Sequence, residues 1–245
     1  MFVHLLLAFA RIFARNPKHT RMQYRMITLV SAAALALAAC GDASTAPEAE
    51  VSDAVEAPAQ GPVSGQATQY AVNPNASKVS WVGSKLVGDA HTGTIDISDG
   101  RLAVFQSEIA GGDFTLDMGS LTVTDLDDNS GKGKLEGHLK NEDFFEVNEY
   151  PEATFTITRI QPIEGRQGVT HELTGNLELK GVTKSVTVPA EVSITDEEIT
   201  AVTPAFTINR TDWNVKYGSG ITGVAQDKII SDDVELKIML SAERT

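Results

Sequence analysis

From Tyr70 onward apolar and polar residues alternate with a period of two in one stretch after another. Leu173, Gly175, Leu177 and Leu179 alternate with Thr174, Asn176, Glu178 and Lys180. Val186, Val188, Ala190, Val192 and Ile194 do the same, as do Phe155 and Ile157 among threonines and Val234, Leu236, Ile238 and Leu240 near the end. Alternation of this kind describes strands with one apolar and one wet face. The pattern predicts strands near 79–87, 91–98, 101–107, 112–124, 153–161, 171–180, 184–195 and 202–210, with 232–242 as a ninth or closing strand. Turn-forming residues separate them: Asp99-Gly100, Gly111-Gly112, Asn129-Ser130-Gly131, Gly165, Lys180-Gly181 and Gly218-Ser219-Gly220. The single short helix expected is Leu139 to Val147, with Asn141 as a cap. Many one-faced antiparallel strands and almost no helix make the fold all-β, either a sandwich or a closed barrel.

Charge is placed unevenly. The chain holds 33 acidic and 20 basic residues; Arg11, Arg15, Lys18, Arg21 and Arg25 precede Cys40, so the part after it has 15 basic residues against 33 acidic, a net of −18. Such a surface repels nucleic acid and anionic head groups, so no nucleic-acid partner is expected. Cys40 is the sole cysteine, which rules out an intramolecular disulfide.

The thirteen residues Ile27 to Ala39 are apolar and follow Arg21 and Arg25. The run is short for a membrane span and suits the apolar region of a signal peptide. It ends Leu37-Ala38-Ala39-Cys40-Gly41, which resembles the bacterial lipobox: an aliphatic residue, two small ones that let the peptidase approach the backbone, and a cysteine whose thiol takes the lipid. Residues 1–40 are therefore expected to be a signal peptide, with Cys40 lipidated and the protein held at the periplasmic face of a bacterial membrane. Gly41 favours the outer membrane. The alternative is a plain secretory signal with a chance cysteine. A start at Met22 or Met26 gives a compact signal; a long basic region before it is the other reading. Residues 41–68, rich in Ala, Pro, Glu and Ser and without an aromatic side chain, are expected to be a disordered acidic tether. As a flexible coil it would reach roughly 30 Å, leaving 69–245 as the folded domain.

The string His138-Leu139-Lys140-Asn141-Glu142-Asp143-Phe144-Phe145-Glu146-Val147, followed by Tyr150-Pro151-Glu152-Ala153-Thr154-Phe155, resembles the signature of the YceI-like polyisoprenoid-binding family. Trp81-Val82-Gly83 with His91-Thr92-Gly93, the hairpin Gly175 to Lys184, and Ile208-Asn209-Arg210-Thr211-Asp212-Trp213 match it in the same order. Trp213-Asn214 stand where Phe-Gly is commoner in the family. The resemblance implies a lipocalin-like antiparallel eight-stranded β-barrel with one short helix. Its apolar interior would hold a long isoprenoid, either a polyprenyl phosphate or a quinone, for sequestration or transport. No other cofactor is implied.

Trp81, Phe144, Phe145, Phe155, Leu177, Leu179, Val188, Val192, Phe206 and Ile208 are the candidates for lining or covering such a cavity. Phe144 and Phe145 are expected to plug one end. Arg210 shares parity with Val202, Phe206 and Ile208 and would end an inward row, where a guanidinium suits a phosphate; the plainer reading pairs it with Asp212 or Glu108. His91 and His138 are further head-group candidates, or simply histidines bonded within the protein. Asp125, Asp127, Asn129 and Glu136 imitate a calcium loop, but Ser130 replaces the glycine it needs, so a solvated acidic turn is the better reading and no metal is expected. Neither G-x-S-x-G nor H-E-x-x-H occurs, and the chain is expected not to be an enzyme. A side-chain-filled structural or stress-related barrel, and an enzyme acting on a lipid head group through His91, His138 or Arg210, are the alternatives.

Overall fold

A computed structural model of the chain describes residues 45–56, 66–220, 223, 225 and 228–245. Among the described residues there are eleven strands: β1 Glu50–Asp53, β2 Thr68–Val72, β3 Lys78–Ser84, β4 Ala90–Phe105, β5 Glu108–Val123, β6 Glu152–Pro162, β7 His171–Leu179, β8 Val182–Ile194, β9 Glu198–Val202, β10 Phe206–Asn209 and β11 Asp233–Arg244. All their ladders are antiparallel. Eight of them close a ring in the order β3, β4, β5, β6, β7, β8, β9, β11 and back to β3. The choice left open by periodicity therefore resolves to a closed barrel, which has no free sheet edge along the ring.

Two wall strands are broken, and in each case a hydroxyl mends the ladder. Between β2 and β3, both facing β11, Ser77 Oγ accepts the N–H of Ser241 at 3.0 Å and donates to its carbonyl at 3.1 Å. Between β9 and β10, Thr203 Oγ1 accepts the N–H of Ile238 at 2.9 Å. The second break shifts register by one residue. Val202 pairs with outward-facing Met239, whereas Phe206 pairs with inward-facing Leu236. Val202 thus does not share the inward row of Phe206 and Ile208, contrary to simple counting through Thr203-Pro204-Ala205.

Asp99-Gly100 and Gly111-Gly112 are not turns but lie inside the long β4 and β5. A Cβ on Gly100 would stand 2.7 Å from the Asp113 carbonyl, and one on Gly112 2.6 Å from the Arg101 carbonyl, so these glycines permit close packing between strands. The real turn is Gln106-Ser107, with φ of 51° and 66°, a left-handed pair adopted here without glycine. Lys180-Gly181, with φ of 49° and 69°, turns as expected.

The helix also moves. It is α1, Lys132–Lys140, and Asn141 ends it rather than starting it. Asn141 Oδ1 instead accepts the Asp143 N–H at 2.9 Å, opening a series of turns through Tyr150. A second difference concerns the segment assigned to the tether. Part of it, 45–56, is structured: β1 pairs with β8 from Glu50↔Thr187 to Asp53↔Lys184, and Ala49 is buried in the core. Apolar periodicity could not signal this segment, because backbone bonds, small apolar contacts and the side chains of Asn176 and Lys184 hold it.

Candidate functional site

The ring gives every strand an inner face. At the end where the β4–β5, β6–β7 and β8–β9 connections lie, inward side chains seal the barrel: Leu102, Val104, Ile109, Val192, Ile199 and Ala242 are all buried. Tyr70 fills the same end and donates its hydroxyl to the Thr195 carbonyl at 2.9 Å. Toward the centre and the opposite end the inward faces are less closed. Phe114, Leu116, Phe155, Leu177, Leu179 and Leu236 pack on the core yet keep partial solvent contact. Phe114 and Phe155 stack at 6.3 Å with their planes 11° apart. Phe155 lies over Gly175, where a Cβ would come within 2.2 Å of its ring, so the glycine makes room for the aromatic.

The other cavity candidates divide. Val188, Val192, Phe206 and Ile208 are buried and face inward as expected. Trp81 faces inward on β3 between Gly93 and Leu236, its indole lying across Gly93. It is 8% exposed, and no acceptor among the described residues meets its Nε1–H. Trp213, by contrast, is sealed and donates to the Leu177 carbonyl at 3.1 Å. Phe145 is partly buried and packs against the core. Phe144 packs elsewhere, edge-on to His138 at 5.0 Å and beside Tyr217 at 5.3 Å. Only one of the adjacent pair can therefore contribute to a plug, since consecutive residues in a turn point apart.

The head-group candidates are engaged by the protein. Arg210 opens a 3-10 turn, Arg210–Trp213, and is buried. Its guanidinium donates to the carbonyls of Ser231, Val215 and Ile230 at 2.9, 2.6 and 3.1 Å and to Asp232 Oδ1 at 3.1 Å. Burial lowers its pKa while Asp232 raises it. The acid is thus Asp232, not Asp212 or Glu108, and Arg210 clamps the loop between β10 and β11 instead of facing the interior. His91 Nδ1 lies 2.9 Å from Asp125 Oδ2, and His138 Nε2 lies 3.1 Å from Asp143 Oδ2. Neither offers both ring nitrogens to a head group.

The calcium-like acids are likewise spoken for. Glu136 Oε1 accepts from Thr122 Oγ1 at 2.6 Å and from the Val123 N–H at 2.8 Å, pinning α1 to β5; these bonds lower its pKa. Asp127 accepts from the N–H groups of Asn129 and Ser130, and the Ser130 bonds lower its pKa. Among the described residues no group of His, Cys, Asp and Glu is placed to hold a metal ion.

Sequence reasoning missed one charge. Lys184 shares the inward parity of Val186 and Val188, and its Nζ lies 3.0 Å from Oδ1 of Asp53, whose side chain is 96% exposed. The pair stands at the end of the barrel where the β7–β8 connection lies. Parity on β8 carried the signal; the partner lay in the supposed tether. On the outside lie two grooves: one of about 480 Å³, mainly polar and lined by Glu50, Glu172, Thr158 and Thr174, and one of about 410 Å³ in which Val169, Val202 and Pro204 mix with Arg166, Glu191 and Lys237. Cys40 and the rest of 1–44, including the expected signal peptide and start, lie outside the described residues.

A family model described as the YceI-like domain matches residues 70–242. Protein YceI of Shigella flexneri is 36% identical over 73 residues, 30% of this chain and 35% of that one. UPF0312 protein plu2095 of Photorhabdus laumondii matches to the same extent. The matched stretch thus spans about a third of the length of these curated relatives. The crystal structure of Burkholderia cenocepacia BcnA is similar with a TM-score of 0.55 at 26% identity, covering 69% of this chain and 98% of that one. A polyisoprenoid binding domain from Saccharophagus degradans gives 0.50 at 19% identity, with 72% and 98% covered; at that identity the likeness concerns the fold.

Proposed function

The chain belongs to the YceI-like domain family, and from that membership and its apolar barrel interior we propose that it binds a long isoprenoid lipid for sequestration or transport. The observation that carries this reading is the composition of the inward rows. From Ile95 and Ile97 through Leu116, Phe155 and Leu177 to Val186, Phe206 and Leu236 they are apolar, and the charge on them, Lys184, stands at the β7–β8 end. Burial of prenyl chain supplies the affinity, at about 0.8 kcal/mol per methylene removed from water. The description of the Saccharophagus degradans domain as polyisoprenoid-binding supports the ligand class.

No catalytic constellation enters this proposal: His91, His138 and Arg210 are held by internal partners, and the protein acts as a binding module without a resident cofactor. The lipobox-like run ending at Cys40 supports a lipid-anchored protein on the periplasmic face of a bacterial membrane, with Gly41 favouring the outer membrane. Native mass spectrometry of the purified protein is the test. A co-purifying lipid of isoprenoid mass is expected. A lipid-free protein that also takes up no added squalene would overturn the proposal in favour of a barrel filled by its own side chains.

A further inference from the structure

Among the described residues five large apolar side chains stand exposed, and three of them share one end of the barrel: Leu86 at 55%, Val87 at 62% and Tyr217 at 45%. Leu86 and Val87 occupy the middle of the β3–β4 connection, Lys85-Leu86-Val87-Gly88-Asp89, where a hairpin tip ordinarily carries small or polar residues. The tip is held in place. Leu86 donates its N–H to the Ile229 carbonyl at 2.9 Å, Ser231 donates to the Ser84 carbonyl at 2.8 Å, and Ile230 donates to the Gly218 carbonyl at 2.8 Å. These bonds stitch the tip, residues 229–231 and Tyr217-Gly218 into one rim. Half-buried Ile229 and Ile230 extend its apolar surface. Lys85, Lys216 and Lys228 are exposed on the same three segments, and among the described residues none of them joins an ion pair.

We propose that this rim is a membrane-docking surface, on which Leu86 and Val87 enter a lipid bilayer and Tyr217 sits at its polar boundary. The form of the rim favours a bilayer as the occupant. Two adjacent aliphatic side chains pointing out from a hairpin tip suit a deformable apolar medium. A tyrosine behind them keeps its hydroxyl among the head groups while its ring is covered, and lysines beside them lay their alkyl stems on lipid and raise their ammonium groups to the phosphates. The charge distribution agrees. The part of the chain after Cys40 holds 15 basic residues against 33 acidic, a balance that bilayer phosphates oppose. Three lysines on the rim place cations where contact occurs, with Asp89 as the acid within the hairpin connection. The surface goes beyond the carrier reading and requires no cargo in the barrel.

The test places the solvent-sensitive fluorophore nitrobenzoxadiazole at one position at a time in the full chain carrying Cys40→Ser, where an introduced cysteine is the sole thiol. Val87→Cys reports the rim, and Asp196→Cys reports the opposite end, in the β8–β9 connection. With vesicles of phosphatidylcholine and phosphatidylethanolamine, the label at 87 is expected to shift to shorter wavelength and to become shielded from aqueous iodide. The label at 196 should keep its emission and its quenching. An attachment elsewhere in the chain immerses neither label, so the difference between them reads the rim itself. Adding Leu86→Asp should raise the lipid concentration needed for the shift at 87 about tenfold. The thermal midpoint should stay unchanged, because Leu86 is exposed. No shift at 87, equal shifts at both positions, or a shift indifferent to Leu86→Asp would overturn docking. A shift that appears without vesicles and grows with protein concentration would overturn it in favour of a second copy of the chain. No cargo is added, so loss of docking and loss of squalene uptake are separate results.

Discussion

Ala49 donates its backbone N–H to the Thr207 carbonyl at 2.8 Å, joining a residue near the start of the described chain to β10. Thr207 returns its N–H to the Pro47 carbonyl at 3.0 Å, and three residues on, Glu50 begins the ladder with β8. The segment is therefore held between β10 and β8, where β9 no longer bridges the wall.

Deleting residues 41–56 should then destabilise the barrel. Lost are the buried Ala49, the half-buried Val51 and the backbone bonds on both flanks, together about 2 kcal/mol. Thermal unfolding of 57–245 against 41–245, followed by circular dichroism, should show a midpoint lower by about 4–8 °C. An unchanged midpoint would mean that the strand adds nothing to the fold.

Arg210→Ala should act on stability, not on ligand choice. It leaves three carbonyls without donors and Asp232 without its cation in a site only 4% exposed. Removing one side of a buried pair costs about 3 kcal/mol. Urea unfolding reads the loss directly. A stable variant that specifically loses affinity for a phosphorylated prenyl chain would contradict this role.

The open rim should loosen in acid. Glu136 has a lowered pKa through Thr122 and Val123, and Lys132 stands 3.9 Å away. At Asp125 burial pushes the pKa up, but the bonds from His91 and the Thr92 N–H outweigh it and the net direction is down. A carboxyl whose pKa falls on folding stabilises the fold above its ordinary range and loses that contribution as pH drops through the lowered folded value. Hydrogen exchange at Thr92 and Val123 should accelerate relative to the core once pH falls below the usual carboxylate range. Glu136→Gln should make exchange at Val123 less dependent on pH, and retention of the full dependence would count against the mechanism.

Cys40→Ser should release the protein from the membrane. The residue ends a lipobox-like run and is the chain's sole cysteine. Detergent-free fractionation with palmitate labelling is the measurement: the variant is expected in the soluble fraction and unlabelled. Membrane association and labelling equal to wild type would refute lipid anchoring there.

Alternation alone carried the strands β6, β7, β8 and β11, and with them the all-β class, because an inward-facing row must be apolar wherever it is written. The Lys180-Gly181 turn was legible for an equally local reason. Closure into a barrel was not, since the same alternation suits a sandwich; in the sequence it came from the resemblance carried by the His138–Phe155 string. Glycines misled where they serve packing: Gly100 and Gly112 look like turn residues until the neighbouring strand is in place. The site divides along the same line. That Phe155, Leu177, Phe206 and Ile208 face inward is a matter of parity, which residue types disclose. That Arg210 is consumed by Asp232 and three carbonyls, that Asp53 meets Lys184 from 131 residues away, and that Trp81 keeps an unpaired N–H all depend on which groups folding brings within about 3 Å. Hydrogen-bond partners are chosen by distance in space, and no local pattern records that distance.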